Sequence, residues 1–137
     1  MLVATDMPYA HATVRVLIVD DQAAFRRAAR SVVELTRGFV VVGEAETGEA
    51  AIGAARATRP DLILMDVHLP GIDGLEASRR ILATSLTRPP VIFLLSTYEA
   101  AEYLDQPTDC GAAAYLAKAD FGSASLSAAW TAAVAPR

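Results

Sequence analysis

The stretch Leu62-Ile63-Leu64-Met65-Asp66-Val67-His68-Leu69-Pro70-Gly71-Ile72-Asp73-Gly74 is an apolar run that ends in one acid and then breaks into turn residues. A short, continuously apolar run bounded by Pro and Gly is the pattern of a strand buried on both faces, as in parallel sheets. Asp66 then stands at the strand's carboxyl end, the edge where open α/β sheets gather ligands and chemistry. The same acid would equally start a turn or cap a helix, so the rest of the chain has to decide.

Working outward, Pro60 forces a break before this strand, which is expected over Asp61 to Met65. On the other side, Asp73 and Glu76 have the spacing of a capping box, which predicts a helix from about Gly74 to about Leu82. Further upstream, Val14 to Val19 reads as a buried strand followed by Asp20-Asp21. From Gln22 the period becomes helical, with Phe25, Ala28, Val32 and Leu35 on one side, Arg26, Arg27 and Arg30 on the other, and Gly38 closing the helix. Phe39 to Glu44 give a second strand, and Thr47 opens a helix with a small-residue face of Ala50, Ala51, Ala54 and Ala55. Downstream, Val91 to Leu95 form a fourth strand ending at Ser96-Thr97, and Ala114 to Ala117 a fifth ending at Lys118. A last helix from about Gly122 is expected to bury Leu126, Ala129, Trp130 and Ala133.

Five strand-helix units in series predict an α/β fold, a doubly wound five-stranded parallel sheet with right-handed crossovers and helices on both faces. Residues 1–13 show no period and are expected to be a mobile leader, with the domain over 14–134 and a short tail over 135–137. The 137 residues, 53% hydrophobic and 20% charged, suit one globular domain and exclude disorder and fibrous repeats. A net charge of -4 makes the surface a poor match for nucleic-acid phosphates. No apolar run approaches the roughly 18 residues of a membrane span, and with the lone Cys110 the expected compartment is the cytoplasm.

This topology brings Asp20-Asp21, Asp66, Ser96 and Lys118 to one edge of the sheet. Carboxylates placed together repel, and in a partly buried site their ionised forms need a cation. Mg²⁺ suits them because it is hard, takes oxygen ligands and keeps waters beside one or two carboxylates and a phosphate. Separately, each residue has a plainer reading: Asp20 or Asp21 as cap of the first helix, Ser96 as cap of the fourth, Lys118 as a solvated charge.

The ordered set resembles the receiver domain of two-component response regulators. The resemblance rests on the Asp20-Asp21 pair, the turn Asp66 to Gly74, Ser96-Thr97, and the run Gly111 to Lys118, with 30 residues from Asp66 to Ser96 and 22 from Ser96 to Lys118. It covers about Val14 to Trp130 and implies a flavodoxin-like sheet of strand order 2-1-3-4-5. It implies that a sensor histidine kinase passes a phosphoryl group to Asp66. Mg²⁺ would be held by Asp21, Asp66 and the backbone carbonyl of His68, with Asp20 supporting. Ser96 and Lys118 would contact the phosphoryl oxygens, and Ser96 and Tyr115 would form the switch. The implied output is a conformational change offered to a protein partner through the surface of the fourth helix, fifth strand and fifth helix, with phosphorylation-dependent homodimerisation left open. For Tyr115 the plainer reading is a half-buried strand residue, and for His68 a solvent-facing loop residue; His11 shows no sign of being a phosphodonor.

The family often places Pro after the lysine, where this chain has Ala119, and the expected fourth helix, Tyr98 to Gln106, is interrupted by Pro107 and is predicted to be short or broken. Three functions compete. The first is a stand-alone, non-enzymatic phosphoaccepting receiver, expected because the last helix reaches Val134 and the chain stops at Arg137, and because the Cys110 to Tyr115 and Ala119 to Gly122 segments, with Trp130, look like single-domain members. The second is the receiver of a DNA-binding transcriptional regulator whose helix-turn-helix domain lies outside this chain. The third is a Mg²⁺-dependent phosphohydrolase, for which no general acid or cap is visible.

Overall fold

The computed structural model describes residues 13–84, 87–97 and 110–136. Within them, five strands, β1 (Val14–Val19), β2 (Phe39–Ala45), β3 (Leu62–Asp66), β4 (Val91–Ser96) and β5 (Ala114–Ala117), pair in parallel in the order β2-β1-β3-β4-β5. Four helices lie around them: α1 (Ala23–Leu35), α2 (Gly48–Thr58), α3 (Gly74–Thr84) and α4 (Ser123–Val134), with a 3-10 turn at Lys118–Asp120. The fold class is that read from the sequence, and the strand order is that implied by the resemblance. The expected leader and the expected fourth helix at Tyr98 to Gln106 lie outside the described residues, apart from Thr13.

Strand alternation sorts the core into two halves. Leu17, Val19, Ile63, Met65, Ile92 and Leu94 point to one face, where α2 and α3 cover them with Ala51, Ala77 and Ile81. Val16, Ile18, Leu62, Leu64, Phe93 and Leu95 point to the other, where Ala29 and Val33 of α1 and Leu126 of α4 close over them. With helices on both sides, all of β3 is buried, which is why its sequence is continuously apolar and does not alternate. Burying each such side chain contributes about 1.5–3 kcal/mol, and β1 and β4 bury four large apolar residues each in the same way.

Element boundaries shift by a residue or two. β3 starts at Leu62 and includes Asp66; just before it, the Asp61 carboxylate accepts hydrogen bonds from the Arg15 backbone N–H (2.9 Å) and the Arg88 guanidinium (2.7 Å). The buried face of α1 is also corrected. Phe25 and Val32 do pack inward, but the fully buried positions are Ala29 and Val33, whereas Ala28 is exposed and Leu35 is 81% exposed. This phase lets Thr36 turn inward and donate to the Val32 carbonyl at 2.6 Å. On α2, Ala51, Ala54 and Ala55 pack against the sheet but Ala50 is exposed. Thr47 caps α2 by accepting the Ala50 N–H at 3.0 Å, and Asp73 accepts the Glu76 N–H at 2.8 Å before α3. In α4, Leu126, Ala129, Trp130 and Ala133 form the inner face as predicted, with Trp130 edge-on to Phe39. Among the described residues, no helix is long and apolar enough to cross a membrane.

Candidate functional site

Parallel pairing delivers one polar residue from each of four strands to the same edge. Asp20 follows β1, Asp66 ends β3, Ser96 ends β4 and Lys118 follows β5; the register aligns Val19 with Met65, Asp66 with Leu95 and Ser96 with Ala117. Asp20, Asp66 and Ser96 are buried and Asp21 is exposed. Carboxylate oxygens of Asp20, Asp21 and Asp66 lie within 4.8 Å of one another.

Lys118 is drawn into this cluster and is no solvated surface charge. Its Nζ lies 2.6 Å from Asp20 Oδ2 and 3.5 Å from Asp66 Oδ1, and 4.6 Å above the Phe25 ring. It is the sole lysine of the chain. Neither acid caps α1: that position is Gln22, whose N–H donates to Asp20 Oδ1 at 2.8 Å in a local turn. Asp66 Oδ1 also accepts the His68 N–H at 3.2 Å, so the contacts described for Asp66 all fall on one oxygen. Ser96 Oγ donates to the Thr97 carbonyl at 3.2 Å. His68 itself is exposed, and Tyr115 is half-buried with its hydroxyl enclosed and without a hydrogen-bond partner among the described residues.

The electrostatics are those of an under-compensated anionic pocket. Burial, reinforced by the Asp20 charge and more weakly by Asp21, pushes the Asp66 carboxyl up from 3.8 to about 6, against the pull of Lys118 and the His68 N–H. Asp20 Oδ2 is buried and has no hydrogen-bond partner among the described residues, the Lys118 ammonium 2.6 Å away serving it as an ionic partner. Three acids facing one ammonium, with an oxygen left without such a partner, fit a hard divalent cation with oxygen preference.

Three contributors escaped the sequence reading. Arg26, assigned there to the solvent side of the first helix, donates through Nη1 to the Asp20 carbonyl (2.8 Å) and through Nε to Glu44 (3.0 Å), tying the end of β1 to β2. Phe25 carries Lys118 and pairs with Phe121, ring centroids 6.3 Å apart. Gly74 lets α3 start against the strand end: a Cβ there would collide with the Asp66 carbonyl and reach 3.0 Å from the Val67 Cα. The glycine was visible in the motif, but the approach distance was not.

A doubly wound parallel sheet with an acidic pair, an acid, a hydroxyl and a lysine at its carboxyl edge defines the receiver class. Residues 16–129 match the family model of the response regulator receiver domain, and the chain belongs to that family. It is 40% identical over 105 residues to a protein-glutamate methylesterase/protein-glutamine glutaminase of Alkalilimnicola ehrlichii, covering 77% of this chain and 27% of that protein. It is 36% identical over 104 residues to the transcriptional regulatory protein YdfI of Bacillus subtilis, covering 76% of this chain and 47% of that one. The chain thus spans less than half the length of these curated relatives. Among solved structures, the signal receiver domain of response regulator NarL from Mycobacterium tuberculosis superposes with a TM-score of 0.79 at 30% identity, covering 91% of this chain and 99% of that one.

Proposed function

We propose that this receiver accepts a phosphoryl group on Asp66 from a phosphohistidine of a sensor kinase and signals through a conformational change to a protein partner. The observation that carries the reading is the buried Asp66 carboxylate, placed with Asp20, Asp21 and Lys118 and, among the described residues, engaged through one of its oxygens. In the reaction a carboxylate oxygen of Asp66 attacks phosphorus, the P–N bond to the donor imidazole breaks, and the imidazole leaves with that electron pair and takes a proton. The product is a mixed anhydride.

A carboxylate is a weak nucleophile toward phosphorus, so the residues contribute positioning and charge neutralisation. Asp21, Asp66 and the His68 carbonyl would hold Mg²⁺, with Asp20 supporting; when bound, the ion supplies charge compensation for the phosphoryl oxygens. Lys118 donates to one phosphoryl oxygen and Ser96 to another. Each charge-assisted hydrogen bond is worth about 1.5–3 kcal/mol, whereas driving a two-state protein from 1:99 to 99:1 takes about 5.5 kcal/mol. Ser96 therefore acts jointly with Lys118 and a repacking of Tyr115, whose enclosed hydroxyl without a partner is suited to a second arrangement. The module works as a switch and not as a turnover enzyme.

Intact-mass measurement after acetyl phosphate and Mg²⁺ is expected to find one added phosphoryl group, labile in alkali, and none on Asp66→Asn. Equal labelling of that variant would refute the assignment. A second reading, the receiver part of a DNA-binding regulator, is supported by the likeness to YdfI; a longer open reading frame encoding a helix-turn-helix domain would select it.

A further inference from the structure

The edge of the sheet opposite the acids carries a feature that phosphoacceptance does not use. There the C-terminal ends of α2 and α3 and the chain entering β4 surround a cleft of about 590 Å³ that is open to solvent. Ile52, Ala55 and Ile81 form its inner wall, and Arg56, Arg59 and Arg88 stand exposed around it. Among the described residues no acid lines it, in a chain whose net charge is -4. Arg88 is steered by Asp61, whereas among the described residues the guanidinium groups of Arg56 and Arg59 meet no carboxylate.

Helix-end electrostatics account for only part of this. Arg56, in the last turn of α2, and Arg59, its C-cap, complement the negative end of that helix, but Arg88 lies outside it. Arg59 is also the one non-glycine among the described residues with positive φ, 48°, at a helix C-cap where glycine would sit without penalty. Its carbonyl is fixed by the Arg15 guanidinium at 2.6 Å, a contact any residue would offer. What glycine would not offer is the guanidinium.

We propose that this cleft docks an acidic, amphipathic segment of a partner protein, its carboxylates meeting the arginine forks and its apolar side chains lying on Ile52, Ala55 and Ile81. Planar guanidinium groups match carboxylates in a bidentate fashion, and none of these positions is lysine. An open groove suits a peptide better than a small anion, because small-molecule sites enclose roughly 70–90% of their ligand. Docking here leaves the phosphoacceptor edge free, so both events can occur on one molecule.

The test is amide chemical-shift titration of the full chain with a short synthetic peptide of glutamates interleaved with leucines. Leucine-free oligoglutamate and ADP serve as comparison probes. The peptide is expected to shift Ile52, Ala55, Ile81 and Thr84 and to leave the carboxyl edge unmoved. Arg56→Gln, Arg59→Gly and Arg88→Gln should each weaken it about two- to fivefold, the range for one exposed ion pair. Arg59→Gly is decisive, since it relieves backbone strain: binding should fall while thermal stability holds or rises. Labelling of Asp66 by acetyl phosphate should be unchanged in all three, which separates this site from phosphoacceptance. Equal binding of oligoglutamate, preferential binding of ADP, shifts at the acidic edge, or affinity indifferent to the three arginines would each overturn the proposal.

Discussion

Replacing Asp66 with Asn removes the one group whose ionisation the fold opposes most, and the consequence for stability has a definite sign. In the metal-free protein Asp66 keeps its proton up to about pH 6, whereas in the unfolded chain it releases it near 3.8. Between those values the native state binds more protons than the unfolded state, so the wild-type protein loses stability as pH rises through the interval. At 1.36 kcal/mol per pH unit, the interval is worth about 3 kcal/mol. The group is buried, so solvent screening removes little of this. Burial contributes most, the Asp20 charge next, and Lys118 offsets part of both. Asp66→Asn is therefore expected to match the wild type below about pH 4 and to exceed its stability by about 3 kcal/mol above pH 6.5.

Urea unfolding in EDTA, followed by the fluorescence of the only tryptophan, Trp130, which packs edge-on to Phe39 6.2 Å away, measures both curves. Adding Mg²⁺ should then narrow the gap, because a ligand present at about 100 times its Kd stabilises the native state by about 2.7 kcal/mol and the wild type holds it better. Parallel stability curves from pH 4 to 8, or a wild type that gains on the variant as pH rises, would refute the account of Asp66 as a carboxylate forced into a dry, anionic pocket.

Ser96→Ala should still be labelled by acetyl phosphate but show a reduced phosphorylation-dependent change in amide shifts around Tyr115; loss of labelling with intact folding would count against the division of roles between Ser96 and Asp66. Gly74→Ala places a methyl group against the Asp66 carbonyl and should cost up to about 3 kcal/mol in urea unfolding while slowing labelling. Leu35→Gln, at an 81% exposed site, should change stability by no more than about 0.5 kcal/mol. Val33→Ala, two positions earlier and fully buried, should cost at least about 1.5 kcal/mol; the reverse order would mean that α1 packs in the phase read from the sequence.

That phase is instructive about what the residues disclose by themselves. β3 was legible because a strand covered on both faces needs an unbroken apolar run, here Leu62 to Met65, and that run leads straight into an acid and a Pro-Gly turn. The convergence of Asp20, Asp66, Ser96 and Lys118 followed from parallel pairing alone. Helix α1 was harder, since adjacent Val32 and Val33 allow two apolar stripes roughly one residue apart. Long-range partners chose between them: Thr36 reaches Ser123 at 2.9 Å, and Arg26 turns toward Asp20 and Glu44. Such contacts join residues far apart in the chain, so local periodicity carries no trace of them. The same holds for the cleft on the opposite edge, which needs two helix ends and the approach to β4 to meet.

The position of Lys118 links the parts of the site more tightly than a list of roles would. Its ammonium sits closer to Asp20 than to Asp66 and over the Phe25 ring. In the proposed role it shifts from Asp20 toward a phosphoryl oxygen on Asp66, whose Oδ1 is 3.5 Å away, and Asp20 would then be a buried carboxylate with a weakened cation contact, a costly state. A divalent ion beside Asp20 and Asp21 removes that cost, so metal binding and the lysine's relocation favour each other by linkage. Relocation also uncovers Phe25, which is paired with Phe121 immediately before α4. A compact ammonium on a flexible stem can make this move within the pocket, whereas a guanidinium fork held by two partners would resist it. That difference gives a physical reason why a chain with arginine at every other basic position places its single lysine here.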